Sequence, residues 1–316
     1  MVPNITFMIL DWNEIWDRPV RNLLELDSTL LLIPASNRRP KAIMADSKSG
    51  QDVREEASPK QAPPDPLRLA RRDLTKALPG RFYKGAEAQE RDGCFVILLD
   101  GRLAKTPGGR PLALPTLAAA QALAREWEAQ EAFIDPAKMP LTRIVHSALD
   151  VVAHKLEVTI EEIAKYAASD LVCYRAGEPE ALARAQSRAF DPVLTFADQK
   201  LGAHFLCTEG VMFIEQPDAA KMAVRAAVAG MTEHKATAPF ALAGLAVMTA
   251  LTGSVLIALA VAKGAMSTED AWVAAHVDED FEMAAWGQDA QALERRAKQW
   301  EEMKAATSLS HLLSEV

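Results

Sequence analysis

The uncharged stretch FALAGLAVMTALTGSVLIALAVA, residues 240–262, decides the fold class of this chain. At about 1.5 Å per residue, one helix of this length would cross a lipid bilayer. Residues 252–254, Thr-Gly-Ser, interrupt the stretch midway, in a pattern typical of a helix that ends at glycine before another that begins after serine. Neither flank carries an aromatic belt or a one-sided cluster of Lys and Arg. The pattern favours two short helices buried in a helical domain over a membrane span.

A segment rich in β-forming residues lies upstream of this helical stretch. Residues 94–99, CFVILL, are followed by Asp100-Gly101 and then by residues 102–106, RLAKT. Asp-Gly supplies the positive φ angles of a two-residue turn, so a β-hairpin is predicted here. Pro107-Gly108-Gly109 turns the chain again, toward a short strand in residues 111–114. We expect a small antiparallel sheet that needs a larger body to support it.

Helical periodicity dominates the rest of the chain. The spacing of apolar residues predicts helices that begin at Thr116 and near Pro140, and helices that continue from about residue 218 almost to the end. Thr159, with a Glu three residues later, predicts a capping box at a helix start. Residues 205–213, with Glu209-Gly210 at their centre, predict an additional β-hairpin. The expected fold class is α+β, a small antiparallel β-rich domain followed by a larger, mostly α-helical domain.

These patterns divide the chain into three parts. Residues 79–135 are predicted to form the β-rich domain with its following helix, and residues 136–316 the helical domain. Residues 1–78 are expected to be a disordered extension or to lie partly upstream of the true start, because residues 45–66 are polar and rich in Pro, Ser and charge. Our hypothesis is that Met44 is the true start. The extension has neither the apolar core of a signal peptide nor the acid-poor composition of a mitochondrial transit peptide.

Composition and charge exclude several classes of function. The 316 residues are 49% apolar and 25% charged, with a formal net charge of -8 and a pI near 5.4. Because a basic field is what attracts proteins to phosphate backbones and anionic lipid, nucleic acid is not an expected partner. The cysteines are Cys94, Cys173 and Cys207, widely spaced and without a CxxC pattern. They are expected to pack as small apolar side chains in a reducing compartment.

Local motifs for catalysis or for metal and cofactor binding are missing from the sequence. The glycines of residues 101–111 lack the GxxxxGK[ST] order of a phosphate-binding loop, and the chain has no GxSxG motif. The histidines have no metal-ligand spacing. We therefore predict no catalytic residues, no metal and no cofactor. The alternative is an enzyme of unknown reaction whose site is assembled from distant residues.

Acidic and aromatic side chains converge on one C-terminal helix. Glu279, Glu282 and Trp286 stand at positions i, i+3 and i+7, and so share a helix face. With Asp278 and Asp289 they form the candidate partner-binding residues. The alternative is a solvated helix that ends at Gly287, with Asp289 capping the next one.

Several stretches together resemble one protein family. They are residues 81–84 (RFYK), 99–102 (LDGR) with 105–107 (KTP), 126–130 (EWEAQ), 139–143 (MPLTR), 169–175 (SDLVCYR), 191–192 (DP), 252–254 (TGS), and 286–287 (WG) with Asp289. In this order and spacing they are similar to the assembly chaperones of the ATP synthase catalytic head, the F(1) sector, that bind its alpha subunit. The resemblance runs from about residue 81 to residue 313.

This resemblance implies a protein without catalytic activity. It would bind the unassembled alpha subunit transiently and mask its intersubunit surface against aggregation, until the beta subunit takes its place. The family is associated with functional acids in the C-terminal helical part, which here corresponds to residues 278–289. Gln288 and Gln291 stand where acids are expected, so the negative patch of this chain would be weaker.

The resemblance also implies a location and a state of assembly. A cytoplasmic bacterial protein is expected, with relatives in the mitochondrial matrix, and we expect a monomer that does not insert into membranes. A membrane-tethered assembly factor that uses residues 240–262 is the remaining alternative.

Overall fold

The computed structural model of the chain describes residues 78–210 and 212–314. All of them fall within one folding unit, Asp73–Val316. The expected extension over residues 1–78, apart from Leu78, and the question of Met44 lie outside the described residues.

The N-terminal part of the described chain is an antiparallel sheet. Its strands are β1 (Ala86–Arg91), β2 (Cys94–Leu99), β3 (Arg102–Leu103) and β4 (Ala113–Leu114), and β2 pairs with each of the others. Between β2 and β3, Asp100 has a φ of 49° and Gly101 a φ of 76°, the positive angles that a two-residue turn requires. The predicted hairpin is therefore confirmed. Strand β1 was not predicted.

Helices make up most of the chain after β4. In chain order they are α1 (Leu117–Glu128), α2 (Pro140–Asp150), α3 (Leu156–Ala164), α4 (Glu180–Leu201), α5 (Asp218–Gly230), α6 (Ala238–Thr252), α7 (Val255–Ala262), α8 (Thr268–Ala275), α9 (Val277–Trp286) and α10 (Ala290–Leu313). The predicted α+β class is confirmed. Side chains from residues 79–135 and from residues 136–316 line one continuous core, and the boundary between these two parts stays a prediction.

The apolar stretch of residues 240–262 forms the centre of the helical part. Helix α6 ends at Gly253, which has a φ of 64°, and the Ser254 hydroxyl accepts a hydrogen bond of 3.0 Å from the amide of Ile257 to cap α7. Every residue from Val255 to Val261 is buried, and α6 packs against α2, α7 and α10. The predicted pair of short buried helices is confirmed. Among the described residues, no helix has both the length and the apolarity to cross a membrane.

A half-buried carboxylate joins helix α2 to helix α1. The Glu126 side chain accepts hydrogen bonds from the backbone amides of Leu141 at 2.9 Å and Thr142 at 2.7 Å, and from the Thr142 hydroxyl at 2.5 Å. Met139, at the N-terminus of α2, gives no side-chain cap, so Glu126 satisfies these amides from another helix. Burial raises the pKa of Glu126, and the hydrogen bonds from Thr142 and Leu141 oppose that rise.

Two local predictions are wrong. Residues 205–213 do not form a hairpin, because β6 (Thr208–Glu209) pairs in parallel with β5 (Tyr174–Arg175), far upstream in the chain. Thr159 does not begin a helix either. Helix α3 starts at Leu156, and the Thr159 hydroxyl donates to the carbonyl of Lys155 inside the first turn. At residues 208–209, pairing with a distant strand overrode the local turn signal. At Thr159, the helix begins three residues earlier than the capping pattern predicted.

Candidate partner-binding surface

Helix α9 is fixed to the body of the protein on two sides. On one side the Gln186 amide of α4 donates to the Asp278 carboxylate at 2.7 Å. On the other, the Asp280 carboxylate pairs with Arg296 of α10. Gln186 is buried, and its carbonyl oxygen accepts from the amide of Ala176 at 2.7 Å. The orientation of α9 is therefore set by long-range contacts.

These anchors leave one face of α9 in solvent. Glu279 and Glu282 are exposed, and among the described residues neither has a hydrogen-bond or ion-pair partner. Trp286 is 90% exposed, the highest value among the large apolar side chains described. The structure brings these three side chains together on the outer face of α9. We call Glu279, Glu282 and Trp286 the α9 face.

The other two predicted site residues act inside the fold. Asp278 accepts its hydrogen bond from Gln186 and is only partly exposed. Asp289 caps α10, because its carboxylate accepts from the amide of Gln291 at 3.0 Å. Gly287 ends α9 with a φ of 93°, so the predicted break between the two helices is confirmed. Of these two acids, Asp289 remains exposed beside the α9 face.

An aromatic cluster supports the start of α9. His276 is buried, its Nδ1 lies 2.8 Å from the carbonyl of Trp272, and its ring centre lies 3.9 Å from that of Trp272. Burial lowers the pKa of His276, with a smaller contribution of the same sign from Arg296. Trp300 packs on Trp272, with 5.3 Å between the centres of the two rings. Sequence patterns did not point to these residues or to Gln186. Trp272 and Gln186 have partners in other helices, and the contacts of the His276 ring are to Trp272.

The charged side chains in the segment that contains α9 are all acidic. The segment of residues 264–294 contains no Lys or Arg, and its acids are Glu269, Asp270, Asp278, Glu279, Asp280, Glu282, Asp289 and Glu294. An exposed tryptophan beside free carboxylates suits a protein partner that carries cationic and apolar groups. Within residues 78–210 and 212–314, no three His, Cys, Asp or Glu side chains are grouped so as to hold a metal ion.

Comparison with known proteins identifies the family. The model of the family described as ATP12 chaperone protein matches residues 80–198. The Atu1473 protein of Agrobacterium tumefaciens, described as a proposed chaperone, is 42% identical, with 80% of this chain and 92% of that chain covered and a TM-score of 0.70. Atp12 from Paracoccus denitrificans is 35% identical, with 74% and 98% covered and a TM-score of 0.68. A point mutant of the same P. denitrificans protein matches equally well, with 74% and 97% covered.

The sequence motifs, the α+β fold and the family model all indicate the same family. The candidate residues of α9 lie C-terminal to the range that the family model matches. The resemblance drawn from the sequence is confirmed at the level of the family: this chain belongs to the ATP12 chaperone family.

Proposed function

We propose that this chaperone serves the assembly of the ATP synthase catalytic head by binding the unassembled alpha subunit. It masks the intersubunit surface of the alpha subunit and prevents its aggregation, without catalysing a reaction. The observation that carries the proposal is the α9 face, on a helix attached to the body through Asp278 and Asp280, with a highly exposed tryptophan and two unpaired carboxylates.

The chemistry of this face suits protein recognition. Tryptophan is enriched among the residues that dominate binding energy at protein interfaces, because it buries a large area with little loss of conformational freedom. Trp286 contributes little to the core of its own chain, since it is 90% exposed. Free carboxylates around it speed encounter with a cationic surface and select against acidic ones.

The alpha subunit is later incorporated into a permanent ring, so the chaperone must bind it transiently. A subunit of a permanent ring carries an interface that resembles a divided core, and it aggregates while unpaired. The chaperone covers that interface and gives way to the beta subunit, which binds it with greater complementarity. We further propose that the protein acts as a monomer in the bacterial cytoplasm.

The test is protection of the purified alpha subunit from aggregation, followed by light scattering with and without this chain. Trp286→Ala and the double reversal Glu279→Lys/Glu282→Lys should each weaken protection by roughly tenfold or more, the usual effect of losing an interface hot spot. Their stability should stay close to that of the wild type, because these side chains are exposed. Glu301→Lys, a reversal on the exposed surface of α10, is the matched control and should protect normally. A wild-type protein that leaves aggregation unchanged would refute the proposal.

A further inference from the structure

The loop of residues 203–217 between α4 and α5 is held in place at both ends. Helix α4 ends at Gly202, which has a φ of 65°. Further on, the buried Gln216 side chain accepts from the amide of Leu206 at 2.9 Å and donates to its carbonyl at 2.8 Å. Between them, β6 pairs with β5. The described parts of this loop, residues 203–210 and 212–217, are therefore attached to the fold through β6 and Gln216.

This loop holds large apolar side chains in solvent. Met212 is 75% exposed and Phe213 is 68% exposed, and Leu206 at the base is also exposed. Large apolar side chains usually bury most of their surface in a folded protein. Single exposed apolar residues are ordinary, but adjacent ones on an anchored loop form a prepared contact surface.

Three successive links connect the loop to helix α9. The amide of Gly210 donates to the carbonyl of Arg175 at 2.8 Å. The next residue, Ala176, donates from its amide to the side chain of Gln186 at 2.7 Å. Gln186 in turn donates to Asp278, in the first turn of α9, at 2.7 Å. The described residues up to Gly210 are thus linked, through Arg175, Ala176 and Gln186, to the first turn of α9.

We infer that Met212 and Phe213 form an apolar arm of the surface that binds the client, and that they contact an apolar segment of the unassembled subunit. This inference rests on the proposed function, because it assigns a second contact to the same client. The α9 face supplies charge and one aromatic ring, and the loop supplies apolar area. The two surfaces are connected through Gln186 and act on one partner.

The experiment compares two variants in the aggregation assay with the alpha subunit. Met212→Ser/Phe213→Ser removes the apolar arm, and we expect about tenfold more chaperone to be needed for equal protection. Met222→Ser is the matched control, since Met222 is an isolated methionine on α5 with 69% exposure, and it should protect like the wild type. Thermal unfolding of each variant should match the wild type, because the substituted side chains are exposed.

The outcomes separate the two proposals. If the wild type protects and the double variant protects equally, the apolar arm is refuted while the proposed function stands. If the wild type itself fails to protect, both proposals fall. If the double variant protects normally but loses self-association of the chain in analytical ultracentrifugation, the loop binds a second copy and the inference is wrong. A photo-cross-linker at position 213 should form an adduct with the alpha subunit, and a cross-linker at position 222 should not.

Discussion

Replacing the buried Asp170 with Asn is expected to change how the stability of the protein depends on pH. The Asp170 carboxylate is fully buried and accepts hydrogen bonds from the amides of Val172 at 3.2 Å and Leu256 at 3.1 Å. Burial raises its pKa from the ordinary 3.8 to about 6, although hydrogen bonds from Ser254 and nearby amides oppose the rise. Between these two values the folded protein keeps a proton that the unfolded chain has released.

The sign of the effect follows from this difference in proton binding. A raised folded-state pKa stabilises the folded protein below the unfolded pKa of 3.8, and this contribution is lost as the pH rises through about 6. A shift of about two units corresponds to about 3 kcal/mol. Asp170→Asn has no carboxyl group to titrate at this position. The free energy of unfolding of the wild type, relative to that of the variant, should therefore fall by about 3 kcal/mol between about pH 4 and about pH 7.

Urea unfolding followed by tryptophan fluorescence at a series of pH values measures this difference. All other ionisable groups are shared by the two proteins, so subtracting one profile from the other isolates Asp170. Glu301→Gln, which removes an exposed carboxylate, is the control variant. Parallel profiles for the wild type and Asp170→Asn would show that the reasoning from burial is wrong.

Two further predictions test the packing around the sheet and the cysteines. An added Cβ at position 108 would lie 2.6 Å from the Asp150 carboxylate, which is held by hydrogen bonds from the Thr106 hydroxyl and the Gly108 amide. Because the carboxylate would have to leave these bonds, Gly108→Ala should lower the free energy of unfolding by about 1–3 kcal/mol. Gly85→Ala is the control and should be nearly neutral, since nothing lies within 4 Å of an added Cβ there, and chemical denaturation measures both variants. Alkylation of the native protein should modify the exposed Cys207 and leave Cys173 unreacted until urea unfolds the chain, because Cys173 is buried and burial raises its pKa. Mass spectrometry of the alkylated peptides measures both reactions, and equal modification of the two cysteines in the native protein would contradict the prediction.

The parts of the fold that were predicted correctly carry strong local signals. The Asp100-Gly101 turn and the Gly253-Ser254 break each depend on backbone angles or capping bonds that neighbouring residues supply. Strand β1 lacks an apolar strand pattern, because its sequence AEAQER lies at the sheet edge and is mostly exposed. Its one local marker was the Asp92-Gly93 turn, where both φ angles are positive.

Part of the candidate surface was also predicted from local sequence, and part of it was not. The spacing of Glu279, Glu282 and Trp286 predicted a shared helix face, and the structure places them together on α9. The contacts that orient this helix join it to Gln186 and Arg296, in two other helices. Periodicity within one segment carries no information about such partners, so the anchors and the neighbouring apolar loop could not be predicted from the sequence.

Several of the motif residues that carry the family resemblance have side chains that hold the fold together. Glu126 caps α2, and Asp170 accepts hydrogen bonds from the amides of Val172 and Leu256, which ties the start of α7 to the turn before β5. Asp100 accepts from the amides of Lys84 and Gly85. The likeness in these motifs therefore identifies the scaffold, which by itself does not specify a client. Trp286, Met212 and Phe213 are exposed and contribute little to any core. If they contact the client, as we propose, substitutions there should alter client recognition without loss of the fold.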